Sequence, residues 1–241
     1  GLSKMEAVAS RLAATGVLRT PCTRVPFEAL VPQAGGPEVV LKLEHLQLTG
    51  SFKVRGATNA MLTKETSKGV CCHSAGNHGA ALAFASRERG VPCTVVVPFT
   101  APRAKVDMIR SLGADVVEVH HWQREATVRD LAERTGATLV HPFDDDDVIR
   151  GQGTLAVELL QQAPDVDVVL VPVSGGGMAA GVALALRELR PQTKIVLVEP
   201  DGKNLADCLR HNTRLLLPPP KDDDDDENDD EEARRRSPLP T

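Results

Sequence analysis

From Glu38 onward, short runs of β-branched residues alternate with longer Ala-, Leu- and Arg-rich stretches whose apolar positions return with a helical period. Regular alternation of the two patterns predicts a parallel sheet covered by helices. Strands are expected at Val39–Leu43, Val70–His73, Thr94–Val97, Val116–Val119, Thr138–Val140, Val166–Val171 and Lys194–Val198. Helices are expected near Phe52–Thr63, Asn77–Arg89, Arg103–Leu112, Gln123–Thr135, Gly151–Gln162 and Met178–Leu189. Gly90, Gly113 and Gly136 fall where three of these helices should stop, as left-handed caps do. The fold class is therefore α/β.

Length and charge refine this picture. A soluble chain of 241 residues removes roughly 70–75% of its unfolded surface on folding if all of it is globular. Ten of the eleven residues Asp222–Glu232 are acidic, so the net charge of -5 belongs to the end of the chain and the body is close to neutral. That run repels itself and buries no apolar surface, and residues 221–241 are expected to form a disordered acidic tail. Nucleic acid is not an expected partner, because no basic stripe interleaved with aromatic residues is present. No apolar run approaches the ~20 residues that span a bilayer, so no membrane partner is expected. No charged-then-apolar leader follows Gly1. Five cysteines, odd in number and without metal-ligand spacing, fit a reducing, cytoplasmic setting.

Three turns stand out as candidate chemistry. Thr49–Ala57 contains a glycine turn that sets Lys53 at the opening of a helix, where a cation is disfavoured by the helix dipole. Lys53 reads either as an ordinary helix-start lysine or as an amine for Schiff-base chemistry. Ser74-Ala75-Gly76-Asn77-His78 follows a strand and opens an Ala-rich helix, so its backbone N–H groups could cradle a carboxylate. It reads equally well as a tight turn with Asn77 as cap and His78 solvated. Ser174-Gly175-Gly176-Gly177-Met178 is a strand-to-helix turn whose consecutive glycines suit a backbone curled around a phosphate. All three lie at carboxyl ends of strands or starts of the following helices, where open α/β sheets bind ligands. A reactive lysine, a carboxylate cradle and a phosphate loop together describe a pyridoxal 5'-phosphate site acting on an amino acid.

The motifs TGSFKVRGA, HSAGNHGAALAFA, VVVPFTAPRAKVDMIRSLGADVV, HPFDD, GQGTLAVELL, VPVSGGGMAAGVA and VEP, in this order from about Thr20 to Pro220, resemble the fold-type II pyridoxal-phosphate enzymes. The resemblance is to the branch of serine racemases and serine/threonine dehydratases. It implies the tryptophan synthase β-like fold of two parallel-sheet domains. Residues 1–66 and 145–220 would form the large cofactor domain and residues 67–144 the small one. It further implies that Lys53 attaches the cofactor and later moves the Cα proton, and that Ser174–Gly177 with Met178 hold the phosphate. Asn77 would contact the cofactor's phenolic oxygen, and Ser74–His78 the substrate carboxylate.

Several departures qualify what the resemblance implies. Racemases place a serine in the carboxylate loop where this chain has Ala75, which carries no exchangeable proton. Dehydration of L-serine or L-threonine to a 2-oxo acid and ammonia is thus expected ahead of racemisation. The racemase branch also suggests Mg2+ or Ca2+ held by Glu199, a backbone carbonyl near Leu205, and Asp207, oxygen ligands suited to a hard cation. After Pro220 the family continues with further large-domain strands and a Ser-Gly-Gly-Asn type turn, whereas this sequence enters its acidic run. An incomplete large domain would expose apolar sheet surface. A catalytically silent member of the fold is therefore the competing expectation, with a homodimer expected only if the interface is retained. Cys71 and Cys72 are expected in the core, His120 and His121 at the surface, and Asp144–Asp147 in a polar loop.

Overall fold

Ser3 accepts the N–H of Glu6 while the Glu6 carboxylate accepts that of Ser3, and this reciprocal cap starts α1 (Lys4–Ala13), which buries Met5, Val8 and Leu12. The computed structural model describes residues 3–30, 32, 35–201 and 205–211. The acidic tail 221–241 lies outside the described residues. An antiparallel ribbon pairs β1 (Cys22–Val25) with β2 (Val39–Lys42), and the short α2 (Phe27–Leu30) falls between them in sequence. Next come α3 (Lys53–Thr63), β3 (Val70–His73), α4 (Asn77–Arg87), β4 (Cys93–Pro98), α5 (Arg103–Ser111), β5 (Asp115–Val119), α6 (Arg124–Thr135) and β6 (Thr138–Leu139). They are followed by α7 (Asp146–Gln162), β7 (Val168–Pro172), α8 (Gly177–Leu189) and β8 (Lys194–Val198). These elements belong to a unit Gly1–Val198, and α9 (Leu205–His211) belongs to a second, Glu199–Thr241.

Strands β5-β4-β3-β6 form a parallel sheet in that order. Side chains alternate across it: Val70, Cys72, Val95 and Val97 pack with α4 and α5, while Cys71 and Val96 pack with Val128 of α6 on the other face. Both faces are covered, as parallel sheets require. Among the described residues, the parallel pair β7-β8 is covered on one side only. Val169 and Val171 pack with Val182, Ala185 and Leu186 of α8, while Val168, Leu170, Val196 and Val198 remain exposed, Leu170 at 67%.

Helix α7 joins these regions. A Cβ on Gly151 would lie 2.6 Å from the Arg55 carbonyl oxygen of α3, and one on Gly153 2.5 Å from that of Gly181 in α8. Residues two apart on a helix are rotated by about 200°, so α3 and α8 contact opposite flanks of α7 at glycine-only distances.

A buried ion cluster ties α3 and α7 to the chain before them. Arg55, 1% exposed, donates to both oxygens of Glu44 at 2.8 Å and to Glu158 at 2.7 and 2.9 Å. Lys42 donates to Glu158 at 2.6 Å. Burial alone would lower the Arg55 guanidinium, but its hydrogen bonds to the two carboxylates outweigh burial and hold it charged.

Several elements differ from the sequence expectation. Helix α7 begins at Asp146, not Gly151, because Asp145 caps it through the N–H groups of Asp147 and Val148 and two further acids occupy its first turn. Asp144–Asp147 is therefore largely a helix start and not a polar loop. The α1 helix and the antiparallel β1 strand were not anticipated. Gly90, Gly113 and Gly136 all adopt positive φ, with Gly136 as the left-handed cap of α6. Cys71 and Cys72 are fully buried.

Candidate active site

Thr49 and Gly50 adopt left-handed φ values of 63° and 73°, turning the chain sharply before Ser51 and delivering Lys53 at the first position of α3. No acidic side chain stands in that first turn. The Lys53 Nζ donates instead to the Pro142 carbonyl at 2.5 Å and lies 5.4 Å from the centroid of the Phe52 ring. Burial lowers the amine from 10.5 to about 8, against a smaller upward influence from Cys72.

Between β3 and α4, Ser74 Oγ accepts the Gly76 N–H at 3.4 Å. Gly76, not Asn77, is the N-cap of α4, and no side chain caps it. Asn77 is the first helical residue and is exposed, Ser74 and Ala75 are half-buried, and a Cβ on Gly76 would meet nothing within 4 Å. The first N–H groups of a helix have no intrahelical partner, so this turn presents free donors beside open space. His78 departs from the solvated reading, being 2% exposed. Its Nε2 lies 3.0 Å from the Val140 carbonyl, which only accepts, so Nε2 carries the proton and donates; Nδ1 is buried and has no partner among the described residues. Burial, with Lys53 nearby, pushes this imidazole down to about 3. His78 can therefore meet a carboxylate only through its backbone N–H.

Ser174 and Gly175 form the exposed turn after β7, Gly176 caps α8 with φ 89° and no side-chain bond, Gly177 opens the helix, and Met178 is half-buried against the α8 core. A Cβ on Gly175 would collide with the Phe143 ring, and one on Gly177 would lie 2.8 Å from the Phe143 Cα and carbonyl oxygen. The loop is therefore closed to side chains on its Phe143 side, whereas a Cβ at Gly176 would meet nothing within 4 Å.

The segment that follows β6, which contributes the motif HPFDD but had no role assigned to its first three residues, joins these parts. After β6, the Val140 carbonyl takes His78, the His141 ring stands edge-on to His73 with centroids 5.6 Å apart, the Pro142 carbonyl takes Lys53, and Phe143 packs on the glycine loop. Its position at the carboxyl end of a parallel strand is the available signal. Its main contributions are two backbone carbonyls, which no side-chain pattern displays.

Two of the three expected cation ligands have partners of their own within the chain. Glu199 accepts the Leu205 N–H at 3.1 Å, and Asp207 pairs with Arg210 at 2.5 Å in the same helix. Among the described residues, no group of three or more His, Cys, Asp or Glu side chains is arranged to hold a metal ion. No helix among them is long and apolar enough to cross a membrane.

The donor set fits pyridoxal phosphate: uncapped N–H groups at the start of α8 suit a phosphate, those of α4 suit a carboxylate, and a partly buried lysine of lowered pKa suits a carbonyl.

A sequence profile of the family described as pyridoxal-phosphate dependent enzyme matches residues 13–225. Serine racemase of Oryza sativa subsp. indica is 43% identical over 172 residues, 69% of this chain and 51% of that protein. The L-threonine ammonia-lyase of Thermotoga maritima is 43% identical over 186 residues, 75% of this chain and 46% of that protein. Among solved structures, a pyridoxal 5'-phosphate-dependent aspartate racemase matches with a TM-score of 0.84 at 43% identity, over 89% of this chain and 67% of that one. The maize serine racemase matches with a TM-score of 0.82 at 37% identity, over 89% of this chain and 66% of that one. This chain spans about half the length of these curated relatives.

Proposed function

Since the chain belongs to the fold-type II pyridoxal-phosphate dependent enzymes, we propose that it is an ammonia-lyase converting L-serine or L-threonine to a 2-oxo acid and ammonia. The observation that carries this reading is the common anchorage of Lys53 and the glycine loop on Pro142 and Phe143. Pyridoxal phosphate, when bound, supplies the electron withdrawal that makes the substrate Cα acidic. In this proposal the backbone N–H groups of Ser174–Met178 hold the phosphate and those of Ser74–His78 hold the substrate carboxylate. Asn77 contacts the cofactor ring oxygen. The Lys53 Nζ, whose lowered pKa leaves a usable neutral fraction near neutral pH, takes the Cα proton. Ala75 offers no group to return a proton to the opposite face, so loss of the β-hydroxyl is favoured over inversion at Cα.

Racemisation of serine is the second reading, favoured by the 43% identity to a serine racemase. The proposal includes residues 1–66 and 145–220 as the cofactor domain and 67–144, which contain the four-stranded sheet, as the small domain. It also includes a homodimer and a cytoplasmic setting, the latter consistent with five free cysteines. A divalent cation is left out of it, given the partners of Glu199 and Asp207.

The test is an absorbance spectrum of the purified chain after loading with pyridoxal phosphate and dialysis, followed by L-serine and L-threonine with detection of 2-oxo acid and D-serine. A retained visible band that Lys53→Ala abolishes, together with 2-oxo acid, is the expected result. D-serine as the main product favours the second reading. A folded chain with no band leaves a silent member of the fold, and a band that survives Lys53→Ala overturns the lysine assignment.

A further inference from the structure

The turn after β6 is held by the side chain of His141. His141 Nδ1 accepts the N–H of Asp144 at 2.9 Å and that of Phe143 at 3.5 Å. Both partners are donors, so Nδ1 must present its lone pair, and a neutral ring then carries its proton on Nε2. The ring is held edge-on by His73 at 5.6 Å and Phe143 at 4.6 Å. The turn it closes contains both groups on which the site rests: the Pro142 carbonyl that accepts Lys53 Nζ, and the Phe143 ring that faces Gly175.

We propose that His141 is a positioning residue for Lys53 and for the glycine loop, acting through the Nδ1 lone pair that folds residues 141–144. The proposal rests on the reading of Lys53 as the cofactor lysine, but its central measurement is made on the chain without cofactor. Protonation of the ring places a hydrogen on Nδ1 facing two N–H donors, so both bonds are lost and the turn is released. Burial lowers the His141 pKa from its usual 6.5, which keeps the acceptor neutral at pH 7 and above. The titratable and charged groups around it are His73 on β3, His78 on α4, Glu125 and Arg129 on α6, Asp144 in the turn itself and Asp145 just after it. The acids oppose the lowering and Arg129 supports it.

The test uses the full chain and two substitutions. In His141→Asn the side-chain oxygen can accept the same N–H groups but does not titrate; in His141→Ala the acceptor is gone. The pKa of the Lys53 amine is measured by competitive acetylation mapped by mass spectrometry, and exchange of the Phe143 and Asp144 amides is followed by NMR. Wild type and His141→Asn should keep Lys53 near 8, whereas His141→Ala should move it toward 10.5 as release of the turn opens the buried amine to water. The Asp144 amide should exchange about tenfold faster in His141→Ala, and in wild type should lose protection as the pH falls below 6.5, a loss absent from His141→Asn. An unchanged Lys53 pKa in His141→Ala overturns the proposal, as does His141→Asn behaving like His141→Ala. Should His141→Ala fail to fold, the wild-type pH series against His141→Asn decides: equal protection of Asp144 at low pH in both overturns it. A visible band surviving Lys53→Ala would remove the cofactor reading while leaving the dependence of the Lys53 pKa on His141 intact, so the two failures are distinguishable.

Discussion

Lowering the pH from 7.5 to 5 should cost this fold about 2 kcal/mol through His78 alone. In the unfolded chain the imidazole titrates near 6.5, and in the folded protein burial holds it neutral down to about 3. Below 6.5 the unfolded state therefore binds a proton that the native state refuses, and stability falls by about 1.4 kcal/mol for each further pH unit. The stabilisation is fully present above 6.5 and is lost progressively as the pH drops toward 3. At pH 5 the unfolded site is almost fully protonated and the native one almost not at all, which gives the figure of about 2 kcal/mol. His73 and His141 are also held below 6.5 by partial burial and act with the same sign. The assay is urea unfolding at pH 7.5, 6.5, 5.5 and 5, with the histidine resonances followed by NMR. His78→Gln, which can keep a donor to the Val140 carbonyl without a titrating ring, should start less stable at pH 7.5 and lose less on acidification. A His78 resonance titrating near 6.5 in the native protein, or an acid slope unchanged in His78→Gln, would refute the reasoning.

Two further outcomes follow from the packing. Arg55→Met should destabilise the protein by about 3–5 kcal/mol in urea unfolding, because it leaves Glu44 without its buried cation and Glu158 with Lys42 alone, and adding Glu44→Gln should recover part of that loss. Gly175→Ala should displace the Phe143 ring and weaken pyridoxal phosphate binding about tenfold, or ~1.4 kcal/mol, in a spectroscopic titration; unaltered affinity would show that the loop does not need this close approach.

The central strands and helices were legible because Val, Ile and Cys runs and Ala-rich periods match a sheet buried on both faces, and the three turns were legible because small residues at strand ends leave room for a ligand. Helix α1 escaped notice although Ser3, Glu6 and the apolar spacing Met5, Val8, Leu12 carry its signature. The β1 strand has only four residues, two of them exposed, and its partner lies across the α2 segment, so neither period nor proximity announces it. The start of α7 was hidden by an acidic run that reads as loop but serves as cap and first turn. The burial of His78 follows from the helix it opens: nearly every residue of α4 from 78 to 86 is inside, and a polar side chain there has no solvent face to choose. Pro142 lay beyond sequence reading for a different reason, since it acts through a carbonyl oxygen that every residue possesses.

The contacts of α7 with its two neighbours carry a consequence for tolerance to change. Lys53 opens the helix on one flank of α7 and the glycine loop opens the helix on the other, so the spacing between the amine and that loop is set by hydrogen atoms on glycines. Such a contact has no rotamers and cannot adapt by repacking a side chain. Elsewhere in the core a larger or smaller residue can be absorbed locally, but any side chain at these crossings acts as a shim, widening the gap that the proposed cofactor would have to bridge.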